Sequence, residues 1–207
     1  MATTNANCTY DAVYASLCFP KGKPVLPGVR SQLYVIRKAD IVKWPELKGI
    51  GEADSTPANT AVYADSFTLA ADKKWLRIDL VDNKGNITWE TQGDKPARTF
   101  LNKFTATHPL IDTNAAGFQR MSLTDDLVYL VQQRDGQFRV LGNEMFETDT
   151  KPGGSTGEGV TGDFGSTFEI EVTDVCPAPF YRGKIEAEDG DIQLNATTGL
   201  PTTTASA

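Results

Sequence analysis

Histidine is nearly missing from this sequence: His108 is the only one. A Ser-His-Asp or Cys-His nucleophile system therefore has a single possible base. That base sits directly before Pro109, where a strand is expected to end, so the expected role of His108 is structural. Cysteine is sparse too. Cys8, Cys18 and Cys176 form an odd set with no CxxC pair, which is not a disulfide framework and argues against a zinc site. No run approaches the ~20 apolar residues of a membrane-spanning helix. The opening MATTNANCTYDAVYASLCF lacks the basic start and clean apolar core of a signal peptide. Positive charge is in deficit, with a net charge of −7, and this argues against sequence-independent attraction to nucleic acid.

What is present is β-pattern. The length of 207 residues suits one β-rich domain with a real core. Leu127 to Val131 is apolar on both faces of a strand, as expected for a strand covered on both sides. Asp135-Gly136 supplies a hairpin turn, and the chain returns as Phe138 to Leu141. Phe168, Ile170 and Val172 alternate with Thr167, Glu169, Glu171 and Thr173. This period of two predicts a core face and an acidic, solvated face. Further strands are expected over 30–37, 66–70, 74–81, 87–92 and 97–107. In the strand over 74–81, Leu76, Ile78 and Leu80 are the expected core face. Residues 40–44 are at most a turn of helix before Pro45. The one helix of any length is expected over 114–121, capped by Asp112, Thr113 or Asn114.

The organisation expected is an extended arm over 1–30, a single domain over 31–195 and a flexible tail over 196–207. Pro20, Pro24 and Pro27 keep the arm out of central pairing. The stretch 150–163, with Gly153, Gly154 and Gly157, is expected to be a flexible glycine-rich loop between strands. Charge is uneven along the chain. Residues 1–50 carry seven Lys/Arg against three acids, and residues 140–207 carry three against twelve. A basic part and an acidic part can meet within one copy or between copies.

The residue groups that could suggest catalysis have plainer structural explanations. Asp125 and Asp126 are adjacent, so on a strand they would face opposite ways. Glu169 and Glu171 share a face, but a solvated strand face explains them better than glycoside hydrolysis. The glycine-rich stretch lacks the lysine of a phosphate-binding loop. Glu188, Asp189 and Asp191 do not follow the EF-hand pattern for calcium. Trp44, Trp75 and Trp89 are expected in core or interface, not on a sugar platform. The expectation is no enzyme, no cofactor, no metal and no catalytic residue.

Four segments carry a resemblance: PGVRSQLYVIRKADIVKWP, TFLNKFTATHP, DDLVYLVQQRDGQFRVLGNE and GSTFEIEVTDVCPAPFY. Together the chain resembles the tail tube (major tail) proteins of phages that infect Bacteroidetes. The resemblance implies a mainly β chain, a single sandwich or barrel with one short helix and long loops. It implies a virion protein that forms rings, hexameric in expectation, stacked into a hollow tube for DNA ejection. Implied partners are copies of itself and other tail proteins such as tape measure, sheath or baseplate components. DNA would pass without specific binding, and no membrane is involved. The implied location is the virion tail, after assembly in the host cytoplasm. Within this frame Glu169 and Glu171 are the candidate lumen-facing residues. Lys21, Lys23, Arg30, Gly153, Gly154 and Gly157 are the candidate contacts between subunits. Another virion component (a connector, a tail terminator or a capsid decoration protein) and a carbohydrate-binding β-sandwich module remain open alternatives.

Overall fold

The computed structural model describes residues 14–17, 19, 22, 24–159 and 162–202. The chain is mainly β. It opens with β1 (Val29–Arg37), then a 3-10 turn at Lys38–Asp40 and β2 (Ile41–Lys43). After a long loop come β3 (Val62–Tyr63), β4 (Thr68–Leu69) and β5 (Leu76–Asp79). Then follow β6 (Asn86–Gln92), β7 (Thr99–His108) and α1 (Thr113–Ser122). The hairpin β8 (Leu127–Gln133) and β9 (Phe138–Leu141) leads to β10 (Thr148–Thr156), β11 (Phe164–Asp174) and β12 (Phe180–Tyr181). Asp112 caps α1 by accepting the Ala115 N–H at 2.7 Å. No described helix is long and apolar enough to cross a membrane.

Three layers result. A six-stranded sheet has the order β3-β12-β9-β8-β1-β5, and a four-stranded sheet has the order β10-β11-β7-β6. Both orders are linear, so the expected sandwich is present and neither sheet closes into a barrel. The six-stranded sheet is covered on both faces. Leu33, Val35, Tyr129, Val131 and Leu141 meet Phe104, Phe168, Ile170 and Val172 of the other sheet. Tyr34, Ile36, Val128, Leu130 and Val140 face the opposite way, onto Phe67, Trp75, Tyr181, Ile185 and Leu194. This explains why Leu127–Val131 is apolar throughout: alternate side chains enter two different cores. Phe67 is the hub of the second core, with ring centroids 5.3 Å from Trp44, 5.4 Å from Trp75 and 5.2 Å from Tyr181.

The turn between β8 and β9 forms as its residues predict. Gly136 takes a φ of 95°, and the Asp135 carboxylate accepts the Gln137 N–H at 3.0 Å. Phe168, Ile170 and Val172 are buried, and Glu169 is exposed, so the predicted register of β11 is correct. The connection from β11 to β12 hangs on buried Asn102. Its amide donates to Cys176 O and accepts from the Ala178 N–H, both at 3.0 Å.

Five expectations need correction. Of the arm expected over 1–30, Val29 and Arg30 already belong to β1, and residues 1–13, 18, 20, 21 and 23 lie outside the described residues. Residues 41–43 form a short strand paired with β4, not a helical turn. In the strand expected over 74–81, Ile78 and Leu80 reach the first core as expected, but Leu76 is 42% exposed and Trp75 is buried in the second core. Alternation assumed one covered face, and here there are two. The expected glycine-rich loop is mostly strand: β10 pairs with β11 from Thr148↔Val172 to Thr156↔Phe164. Pro152 is tolerated because β10 is a sheet edge. Of the tail expected over 196–207, the part up to Thr202 is tied back, with Thr202 N–H donating to Gln193 O at 2.8 Å and Asn195 N–H to Leu200 O at 2.9 Å, and residues 203–207 lie outside the described residues.

Truncating Ile170 removes its burial and leaves a cavity between the sheets. Ile170→Ala is expected to cost ~2–5 kcal/mol by chemical denaturation. Glu169→Ala, next to it on the solvated face, should stay within about 0.5 kcal/mol of the parent.

Candidate functional site

The outer face of the four-stranded sheet carries the predicted lumen residues, and its rows can be read across the strands. One row is Asp149, Glu171, Lys103 and Thr88; the next is Lys151, Glu169, Thr105 and Asn86. Glu90 stands in a third row, beside Leu101 and Thr173. The face is therefore a mixed lattice of four acids and two lysines, not an acidic wall. Lys151 Nζ lies 2.6 Å from Glu171 and 3.4 Å from Asp149. Lys103 Nζ lies 3.3 Å from Glu171 and 3.0 Å from Glu90. Glu171 is thus bracketed by two lysines. Glu169 is in no ion pair among the described residues.

These contacts set the titration of the row. The Lys151 hydrogen bond, with help from Lys103, holds the Glu171 carboxyl below its ordinary value. Asp174, at the buried end of β11, behaves oppositely: burial raises its carboxyl, though the Val175 and Cys176 N–H groups partly offset this.

The edges of this sheet differ. On β10, Thr148 N–H donates to Asp126 Oδ1 at 2.9 Å, Pro152 has no N–H, and Gly153 O accepts from Gln119 Nε2 at 2.6 Å. That edge is blunted over most of its length. On β6, the backbone bonds only to β7, and its outer edge has no backbone partner among the described residues. Ile87 and Trp89 are in register with Phe104 and Asn102, on the core-facing side of the sheet. Yet Trp89 is 47% exposed, because no strand continues the sheet beyond it. Its ring packs on the Arg139 guanidinium, whose carbon lies 5.6 Å from the Trp89 centroid and 3.5 Å from that of Phe180.

The other predicted contact residues scatter. Gly153 and Gly154 are strand residues of β10. Gly157 begins the turn after it with a φ of 76°. Arg30 is an exposed residue of β1 that shares a hollow with Asp82 and Asn83, and the next residue, Lys84, pairs with Asp163 at the end of that turn. Lys21 and Lys23 lie outside the described residues.

The remaining polar groups have structural roles. His108 Nδ1 lies 2.7 Å from Asp79 O and ties the two sheets together. Asp126 pairs with Lys38 at 3.2 Å besides accepting from Thr148. Asp189 pairs with Arg77 at 3.1 Å, and Asp191 with Lys184 at 2.7 Å. Burial pushes the Cys176 thiol up to about 12. No metal-binding group of His, Cys, Asp or Glu is found among the described residues. A groove of about 380 Å3 lies between α1 and β5, floored by Val35, Leu76, Phe118 and Met121 and rimmed by Lys73, Lys74 and Asp125. Ser122, also in its lining, donates its hydroxyl to Gln119 O at 2.9 Å.

A carboxylate whose folded pKa lies below its unfolded one stabilises the fold above the unfolded value, and this is lost as the pH falls through the folded value. Glu171 should therefore stabilise fully at neutral pH and progressively less below its ordinary 4.5. Glu171→Gln is expected to lower stability at pH 7 by no more than about 1 kcal/mol, given its partial exposure. Denaturation of both proteins across pH 3 to 7 should show the difference closing in acid.

No family model, no curated protein and no solved structure matches this chain.

Proposed function

We propose that this chain is a structural subunit of a phage tail tube, which self-associates into stacked rings around a channel for DNA. The observation that carries the reading is the four-stranded sheet. One face is packed into the core, the other is a flat lattice of threonines and paired charges, and the β6 edge is left open for another strand. Open edges are normally blunted in proteins that stay monomeric, as β10 is here. An open edge with a half-exposed tryptophan behind it is the geometry of strand addition between chains. The paired charges suit a channel wall. Each acid is repeated around the bore, and the lysines that neutralise it are not free to hold phosphates.

Negative-stain microscopy of the purified protein at rising concentration tests this. Rings or tubes of uniform bore are the expected outcome, and a monomer at all concentrations would overturn the reading. Glu169 is the informative residue of the wall, because its replacement breaks no ion pair. Particles carrying Glu169→Lys should form normally but eject DNA more slowly, most of all at low salt. Unchanged ejection at low salt would place this face away from the channel.

A further inference from the structure

We infer that the turn between β6 and β7, Gly93 to Arg98, docks its two basic side chains into an acidic hollow beside β10 of a neighbouring copy. The inference rests on the self-association reading and names the contact that carries it. The hollow lies where the end of α1 meets the start of β10. It has a volume of about 320 Å3 and is lined by Leu123, Asp125, Asp126, Glu147, Thr148 and Asp149, with no lysine or arginine lining it among the described residues. Asp126 and Asp149 already have partners, Lys38 at 3.2 Å and Lys151 at 3.4 Å, whereas Asp125 and Glu147 are in no ion pair among the described residues. Thr148 is 6% exposed, and its hydroxyl oxygen is buried with no hydrogen-bond partner. A buried polar atom left without a partner is costly. Leu123 stands 68% exposed beside them. Two uncommitted carboxylates, an orphaned hydroxyl and a bare leucine suit a long basic side chain, whose head pairs with the acids while its methylenes cover the leucine.

The turn offers that chemistry. Every residue from Gly93 to Arg98 is exposed, so the turn stands clear of the sheet. Lys95 and Arg98 outnumber Asp94 there, and neither is in an ion pair among the described residues. Arg98 Nε donates to Gly93 O at 3.3 Å, which leaves the two terminal nitrogens for a partner. The partner must be a neighbour. The sheet order β10-β11-β7-β6 puts hollow and turn at opposite edges, about 14 Å apart at the usual strand spacing. The turn is tied at both ends, since Gln92 pairs with Thr99, and cannot cross its own sheet. Both nevertheless sit at the same end of that sheet: Thr148 is level with Val172, and Asp174 is level with Phe100, one residue inside the turn's foot. A projection at one edge and a hollow at the other make a head-to-tail contact, which repeats from copy to copy and closes as a ring.

Charge exchange on the whole chain tests the contact. One variant carries Lys95→Glu with Arg98→Glu, the other Asp125→Lys with Glu147→Lys. Melting temperatures equal to the parent's check that both fold; where a double reversal lowers it, the single reversals Lys95→Glu and Glu147→Lys serve in its place. In sedimentation velocity each variant alone should associate roughly tenfold or more weakly than the parent. An equimolar mixture should regain association, because the reversed turn of one meets the reversed hollow of the other. Variants that each associate like the parent, or a mixture that stays monomeric while the parent associates, would overturn the contact and leave the self-association reading standing. A parent that is monomeric at every concentration would remove both. Calcium chloride is the control for a free cation, since clustered carboxylates also suit a hard ion. If calcium raised the parent's melting temperature but not that of the hollow variant, and association ignored the turn, the cation would replace the turn as occupant.

Discussion

The structure depends on one constraint: a six-stranded sheet whose two faces must both be kept from water. β8 sits inside that sheet with Leu127, Tyr129 and Val131 on one face and Val128 and Leu130 on the other. A single layer cannot bury both sets. The four-stranded sheet covers one face. Loops and short strands from residues 41–75 and 181–194 cover the other, gathered around Phe67 and Trp75. The small accessory elements follow from this need, since each contributes one or two large side chains to the second core. The buried hydrogen bond between Tyr129 and Thr150 at 2.9 Å then ties the central sheet to the edge of its partner.

The division of labour follows from the layering. Because the central sheet is enclosed, the four-stranded sheet is the one that presents a regular polar surface. Strand alternation delivers threonines and charges to that surface at fixed spacing. Antiparallel register then brings lysines from β7 and β10 beside the acids of β11. Exposed pairs of this kind add little stability one by one. Their consequence is a net-acidic surface of four acids and two lysines, in which Glu169 alone is in no ion pair among the described residues.

The two edges of the same sheet illustrate how a β protein controls association. A helix side chain, a carboxylate and a proline close β10. Nothing among the described residues closes β6. Pairing through a blunted edge is disfavoured, while an unblunted one can still accept a strand.

The local pattern by itself determined much of the framework. The alternation of Phe168, Ile170 and Val172 set the register of β11. Asp135-Gly136 set the hairpin, and the run Asp112-Thr113-Asn114 marked the start of α1, where the structure makes Asp112 the cap. These are short-range effects of side-chain period and turn chemistry, which do not need the rest of the chain. What only the tertiary structure decided lies across strands. The pairing of Glu171 with Lys151 and Lys103 joins residues 20 and 68 positions apart, and no periodicity announces it. The glycine-rich stretch reads as a loop by composition, yet β11 supplies a ladder long enough to hold Gly153 and Gly154 as strand. By alternation Trp75 falls opposite Leu76, Ile78 and Leu80, and only the second core gives it a covered place. In each case the deciding partner is distant in sequence, and only the packing of the layers brings it into contact.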